Sequence, residues 1–337
     1  MNQTLNISTS TIFRFILIIL GLVFLYLIRD ILLMIFVAMI IAAAIDAPVC
    51  WLARHKVRRG LGVTMVYVAI LLLLALFVYL VFPALAGQIK ALAANLPSYL
   101  SGLGTSVSEL EQKISMPAVQ QILENVSNQL SEAATNAFGT VINVFGGIFS
   151  ALVILVASFY LSVQDKGIKK FIAVITPVQH RPYVTSLTER IQLKLGSWLR
   201  GQLLLMLIVG LMIYIGLTLL KVKFALTLAL IAGLLEIVPY IGPILGAVPA
   251  LAMSFLQSPL LIFVVAALFV LVQQMENYIF TPLILRKVVG LNPLIIMISI
   301  IVGGKLGGVL GAVVAVPLVA AVSVFLGDML QRTEEIK

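Results

Sequence analysis

Glu236 stands in the middle of an apolar run of about 33 residues, 224–256, beside the interruption EIVPYIGP at 236–243. An ionised carboxylate at mid-membrane costs about 2.5–3.5 kcal/mol on insertion scales, so it must face protein, water or a cation. There it can carry a proton or coordinate a sodium ion, or it can cap a broken helix or pair with a base. Lys305, inside GGKLGG at 303–308, is the second expensive charge and marks a break in another long apolar run, 292–326. A Glu236–Lys305 ion pair would relieve both costs; a lysine close to the membrane boundary would instead snorkel to water. Between them Gln273, Gln274, Glu276 and Asn277 form a polar band. Positions 273, 276 and 277 share one face by helical spacing. Such a band can hydrogen-bond a hydroxylated solute, or it can tie helices together.

The elements that must position these groups are unusual. A helix of 33 residues is about 50 Å long, more than the roughly 30 Å of hydrocarbon in a bilayer. Pro239, Tyr240, Gly242 and Pro243 interrupt the first run, and Gly303, Gly304, Gly307 and Gly308 the second. Their role is to let the backbone bend, approach closely and hinge. The two breaks resemble each other: GPILGAVPA at 242–250 matches GGVLGAVVA at 307–315, 65 residues later. Paired interruptions of this kind point to a transport site, because a broken helix turns backbone amides and carbonyls toward a polar cavity. The competing reading is that glycines only let helices pack closely. Re-entrant or broken hairpins put Arg286 and Lys287 on the same side as the other basic loops, as the positive-inside rule prefers.

The rest of the chain defines its solvent. Of 337 residues, 62% are hydrophobic and 10% charged, against about 25% charged in a soluble domain; mean hydropathy is +1.17. The fold class is therefore an all-α polytopic membrane protein with about eight hydrophobic segments. Half of the 22 basic residues behind the net charge of +9 fall in two places, 54–59 and 166–200. That is the cytoplasmic bias of a bacterial inner-membrane protein, not a nucleic-acid footprint. One cysteine, Cys50, allows no internal disulfide, and His55 and His180 each stand alone in basic loops, so no metal site is expected. No phosphate-binding or dinucleotide motif is present, so no cofactor is expected and pumping would draw on a gradient. No nucleophile–base pair argues for an enzyme.

Along the chain, 1–82 holds three spans, with 11–28 and 31–53 separated by Arg29 and Asp30 alone and expected to form a tight hairpin. Residues 83–138 are a polar insertion with amphipathic helical spacing from Val119 to Ala137, expected outside the cytoplasm. A fourth span, 139–163, leads to a basic stretch, 164–200, in which Val184, Leu187, Ile191, Leu195 and Trp198 share the apolar face of an expected interfacial helix. Residues 201–327 form the transport core, and 328–337 a tail. Both termini are expected in the cytoplasm, with the N-terminus retained rather than cleaved. Asp46 reads as an interfacial cap.

At EIVPYIGPILGAVPA, QMENYIFTPLILRKVVGLNPLI and GGKLGGVLGAVVAVPL, supported by SFYL at 158–161 and RGQLL at 200–204, the sequence resembles the autoinducer-two exporter family of bacterial permeases over essentially its whole length. The resemblance implies eight hydrophobic segments, a polar insertion between the third and fourth, and a homo-oligomer, a pentamer in the family's pattern. It implies export of the autoinducer-two signal or, as in relatives, sodium or lithium exchange for protons. No residue singles out the signal molecule. Three functions follow: a secondary transporter exporting a small polar solute, a cation/proton antiporter working through Glu236 or Glu276, and a scaffold whose external helices bind envelope partners. The expected partners are membrane lipids, a small solute or cation, and further copies of the chain.

Overall fold

The computed structural model describes residues 9–76, 79, 147–164, 169, 172–174, 176–285, 290 and 292–334. Among these the chain is helical, without a strand. The polar insertion expected at 83–138, with its amphipathic face, and Arg286 and Lys287 lie outside the described residues. Among the described residues five helices are long and apolar enough to cross a membrane. Together with the shorter apolar helices they make an all-α polytopic membrane protein.

Helices α1 (Thr9–Leu27) and α2 (Arg29–Arg54) differ from the expected hairpin. The hydrogen-bond ladder runs through the junction, with Ile28 N donating to Phe24 O and Leu32 N to Ile28 O, both at 3.0 Å. The chain does not turn back because neither a glycine nor a proline breaks it, and the two charges are accommodated on the helix surface. Arg29 lies 4.3 Å over the Tyr26 ring and 3.7 Å from Asp30. Helix α3 (Arg59–Leu76) and helix α4 (Gly147–Val163) then pack on the second half of α2 through Ile45, Val49, Val63, Tyr67, Leu155 and Phe159.

Helix α5 (Arg181–Leu219) is the organising strut, 39 residues without interruption and about 58 Å long. The expected interfacial helix ending near 200 and the fifth span are thus one element. Its first half is amphipathic because it packs on protein: Leu195 and Trp198 are buried against Ile40 of α2 and Ala320 near the C-terminus. Beyond it come helix α6 (Ala225–Leu235), helix α7 (Ile241–Gln257) and helix α8 (Leu261–Met275). A π-helical turn, Glu276–Phe280, follows, then the short α9 (Thr281–Ile284) and the long α10 (Pro293–Glu334).

Both broken runs fold back as hairpins. In the first, α6 and α7 are joined by 236–240, and the chain returns so closely that a Cβ on Gly242 would lie 2.0 Å from Leu235 O; only glycine fits. In the second, α10 breaks at Gly307 (φ −132°, ψ 20°) and Gly308 (φ 60°, ψ −145°). Its arms touch backbone to backbone, since a Cβ on Gly303 would be 2.4 Å from Gly311 O. The hairpins enter from opposite ends. The first is rooted beside Leu217 and Val222 and packs along the second half of α5. The second is rooted at the basic end, where Asp328 pairs with Arg190 and Ser323 accepts from Lys194 at 3.0 Å. Its tip reaches Leu33 near the start of α2.

Candidate functional site

The first hairpin ends against the middle of α5. Gln202 Nε2 donates to the backbone carbonyl of Glu236 at 2.6 Å, which ties the turn to the strut. The chain then passes through Tyr240 at φ 66°, ψ −43°, a region that non-glycine residues occupy at a cost of about 1–3 kcal/mol when surroundings enforce it. Gly242 N closes the turn on Val238 O at 2.8 Å. The strain and the pinned carbonyl fix the Glu236 side chain inward: it is 0% exposed, and its carboxyl group meets that of Glu276, a pair that can share a hydrogen bond when one of them is protonated.

Opposite it, α8 widens into the π turn. Pro282 has no N–H to continue the ordinary ladder, and single π turns of this kind sit preferentially at functional sites. Glu276 begins the turn, 6% exposed, and the Glu236 and Glu276 carboxyl groups interact electrostatically. Gln273 Nε2 reaches both Glu276 Oε2 at 3.2 Å and Asn277 Oδ1 at 3.4 Å. The face read from helical spacing is therefore a connected amide–carboxyl cluster; Gln274 points away and is exposed.

These pieces surround a cavity of about 460 Å³ lined by Trp198, Gln202, Pro239, Tyr240, Glu276, Asn277 and, from the second hairpin, Pro293, Ile296 and Val316. Among the described residues its lining contains no lysine, arginine or histidine. The structure thus gathers Glu236, Pro239, Tyr240, Glu276 and Asn277 at one place, with Gln273 behind them. Gly242 and Pro243 serve the turn at its edge.

Lys305 is not part of it. The residue is exposed and makes no ion pair among the described residues, so the Glu236–Lys305 pair does not form. The reason is the opposed entry of the hairpins: equivalent positions of the two repeats point in opposite directions, and the break at Gly303, Gly304, Gly307 and Gly308 reaches toward Leu33 instead of toward Gln202.

Two residues of the site escaped sequence reasoning. Trp198 and Gln202 are each 1% exposed, and Trp198 Nε1 and Gln202 Oε1 have no partner among the described residues. Trp198 counts toward the apolar face of an amphipathic helix, and Gln202 is a single amide at the head of a span. Their spacing of four on one helix, with Leu205 next on the same face, was the available signal.

A helical bundle that surrounds a largely apolar cavity bearing a few polar side chains with two opposed hairpins, inside an apolar exterior, defines a membrane transporter by class. The family model for the AI-2E family transporters matches residues 15–331, and the chain belongs to that family. Relatives, each named as a "Putative transport protein", include YueF of Bacillus subtilis (strain 168), 30% identical over 82% of this chain and 79% of its own length. YrrI of the same organism is 26% identical over 84% and 82%. YhhT of Escherichia coli (strain K12) is 24% identical over 88% and 84%.

Proposed function

We propose that the chain is a secondary transporter that exports a small, polar, hydroxylated solute, of which the autoinducer-two signal is an example, across the bacterial cytoplasmic membrane. The observation that carries this reading is the pair of buried polar atoms on α5, Trp198 Nε1 and Gln202 Oε1, whose residues line the cavity and which have no partner among the described residues, together with the buried, mutually interacting Glu236 and Glu276 carboxyl groups. An unsatisfied buried polar group costs about 1–3 kcal/mol, and here Trp198 and Gln202 both line one cavity. A solute with hydroxyls accepts from the indole N–H and donates to the amide and carboxyl oxygens. Tyr240 and Asn277 widen the choice of contacts. Glu236 and Glu276 supply the coupling: two buried carboxyl groups so close together are neutralised by a proton or a cation that moves when the solute does. Hinging at 236–243 and at 303–308 alternates access, both termini lie in the cytoplasm, and the working unit is a homo-oligomer.

The same carboxyl pair favours a second reading, a sodium or lithium/proton antiporter without an organic solute. Flux into proteoliposomes of the purified protein separates the two. Autoinducer, sodium and lithium are offered in turn under an imposed pH gradient, to the wild type and to Glu236→Gln. Solute movement that the substitution abolishes supports the exporter; cation exchange alone moves the assignment to the antiporter; no flux of either kind rejects both.

A further inference from the structure

A second cavity, of about 350 Å³, lies on the other face of α5, at the basic end of the bundle between α2, α3, α4 and α5. By helical spacing Trp198 and Gln202 turn toward the transport cavity, while Glu189, Leu193 and Arg200 turn to the opposite side; the two cavities therefore share a wall. The ionisable side chains lining the second one are Arg59, Lys169, Arg200, Asp46, Glu189 and Cys50. Two of the cations are neutralised locally: Arg59 Nη2 sits 2.8 Å from Asp46 Oδ1 and Lys169 Nζ 2.8 Å from Glu189 Oε2. In both pairs the acid is the more exposed partner, with the cation side chains 29% and 19% exposed against 51% and 54%.

Arg200 is different. Pro48 inside α2 has no N–H for the Ala44 carbonyl, and Arg200 Nη1 fills that gap at 3.2 Å, with Ala43 O at 3.5 Å and Ser197 Oγ at 3.1 Å from Nη2. Its hydrogen-bond partners are all neutral, and no carboxylate lies within 4.0 Å of it among the described residues. A guanidinium presents five N–H donors in a fixed fork suited to a phosphate, and this one is held in place by the proline-freed carbonyl. The cavity borders apolar surface, with Leu193 64% and Trp51 59% exposed, and lies next to the basic loop that carries Arg54, Lys56 and Arg58.

We propose that this cavity is a binding site for the phosphate of an anionic phospholipid headgroup, with Arg200 as the principal contact and Lys169 and Arg59, each already paired with an acid, as secondary donors beside it. Basic pockets between membrane helices take such headgroups. The exposed Leu193 and Trp51 supply the apolar surface along which the acyl chains leave, which a free phosphate ion would not use.

The test is native mass spectrometry of the detergent-solubilised full chain offered phosphatidylglycerol, phosphatidylcholine or inorganic phosphate. The wild type is expected to retain phosphatidylglycerol about fivefold over phosphatidylcholine, the ratio that roughly one surface charge contact provides. Arg200→Gln is expected to bring the ratio near parity, Arg200→Lys to keep most of it, and Arg181→Gln, on the same helix outside the cavity, to leave it unchanged. Parity in the wild type overturns the proposal, as does an equal loss in Arg181→Gln, which would mean diffuse surface charge. Displacement of the lipid by equimolar inorganic phosphate overturns the lipid assignment. Should Arg200→Gln fail to fold for want of the Ala44 contact, Lys169→Gln is read instead: a fall of about twofold supports the site, and an unchanged ratio rejects it.

Discussion

The two hairpins share a sequence pattern and a backbone solution, yet they carry different chemistry. Each brings two short helical arms together through small residues, and each reverses at a break that no ordinary helix would tolerate. The tip of the first is polar, strained at Tyr240 and pinned by Gln202, with Glu236 fully buried. The tip of the second is made of glycines, and its one charge, Lys305, stays exposed. A repeated unit thus supplies the architecture twice and the buried carboxyl group once; the second hairpin contributes Ile296 and Val316 as apolar wall.

The largest expected effect tests that asymmetry at its centre. Glu236→Gln preserves volume and the backbone contact to Gln202 but removes the ionisable group. Under the proposed coupling it lowers gradient-driven flux in proteoliposomes by at least about tenfold, equivalent to roughly 1.4 kcal/mol, while the melting temperature in detergent changes little or rises. A variant that transports like the wild type breaks the comparison, because the hairpins would then differ only in composition.

Stability sharpens it next. Gly242→Ala places a methyl 2.0 Å from Leu235 O, a backbone atom that cannot give way, and is expected to destabilise the fold by about 1–3 kcal/mol. Gly308→Ala meets open space, so that the turn can shift to relieve the strain of φ 60°, ψ −145°, a region only glycine occupies readily; held in place, that strain is about 1–3 kcal/mol. Thermal unfolding of the two variants in the same detergent should rank them in that order. The reverse order would mean that the second turn is the more tightly built.

Gln202→Leu should have a smaller effect on folding and a selective one on function. The leucine keeps the packing with Leu205 but leaves the Glu236 carbonyl without its donor at 2.6 Å, at about 1–2 kcal/mol. If the amide also binds solute, the half-saturating solute concentration rises severalfold beyond what the stability change explains. An unaltered value would confine Gln202 to holding the turn.

Much of this contrast was legible in the sequence, for identifiable reasons. Glu236, Glu276 and Asn277 stand out because a polar group in hydrocarbon needs a purpose, and Pro239 and Gly242 because both are poor helix formers. What was hidden depends on direction in space. Trp198 fits an apolar helical face equally well whether that face meets lipid or a cavity. The continuity of α1 with α2 rests on Ile28 keeping its ladder bonds, although two adjacent charges suggested a turn. The matched breaks at 242–250 and 307–315 suggested that Glu236 and Lys305 would meet. A repeat inserted from opposite ends places its equivalent positions apart, and sequence similarity alone carries no sense of orientation.

Lys305→Gln is for that reason the smallest expected change and the sharpest control. The lysine is exposed, has no ion-pair partner among the described residues and lies outside the cavity lining, so its charge should matter to flux by less than about twofold and to stability by less than about 0.5 kcal/mol. The comparison with Glu236→Gln is made in one preparation under one gradient. A loss at Lys305 that matches the loss at Glu236 would place the second break on the solute's path in another conformation, one in which its tip has moved from Leu33 toward the site. The two hairpins would then be chemical partners in turn, with the titratable group and the cation serving successive states of one cycle.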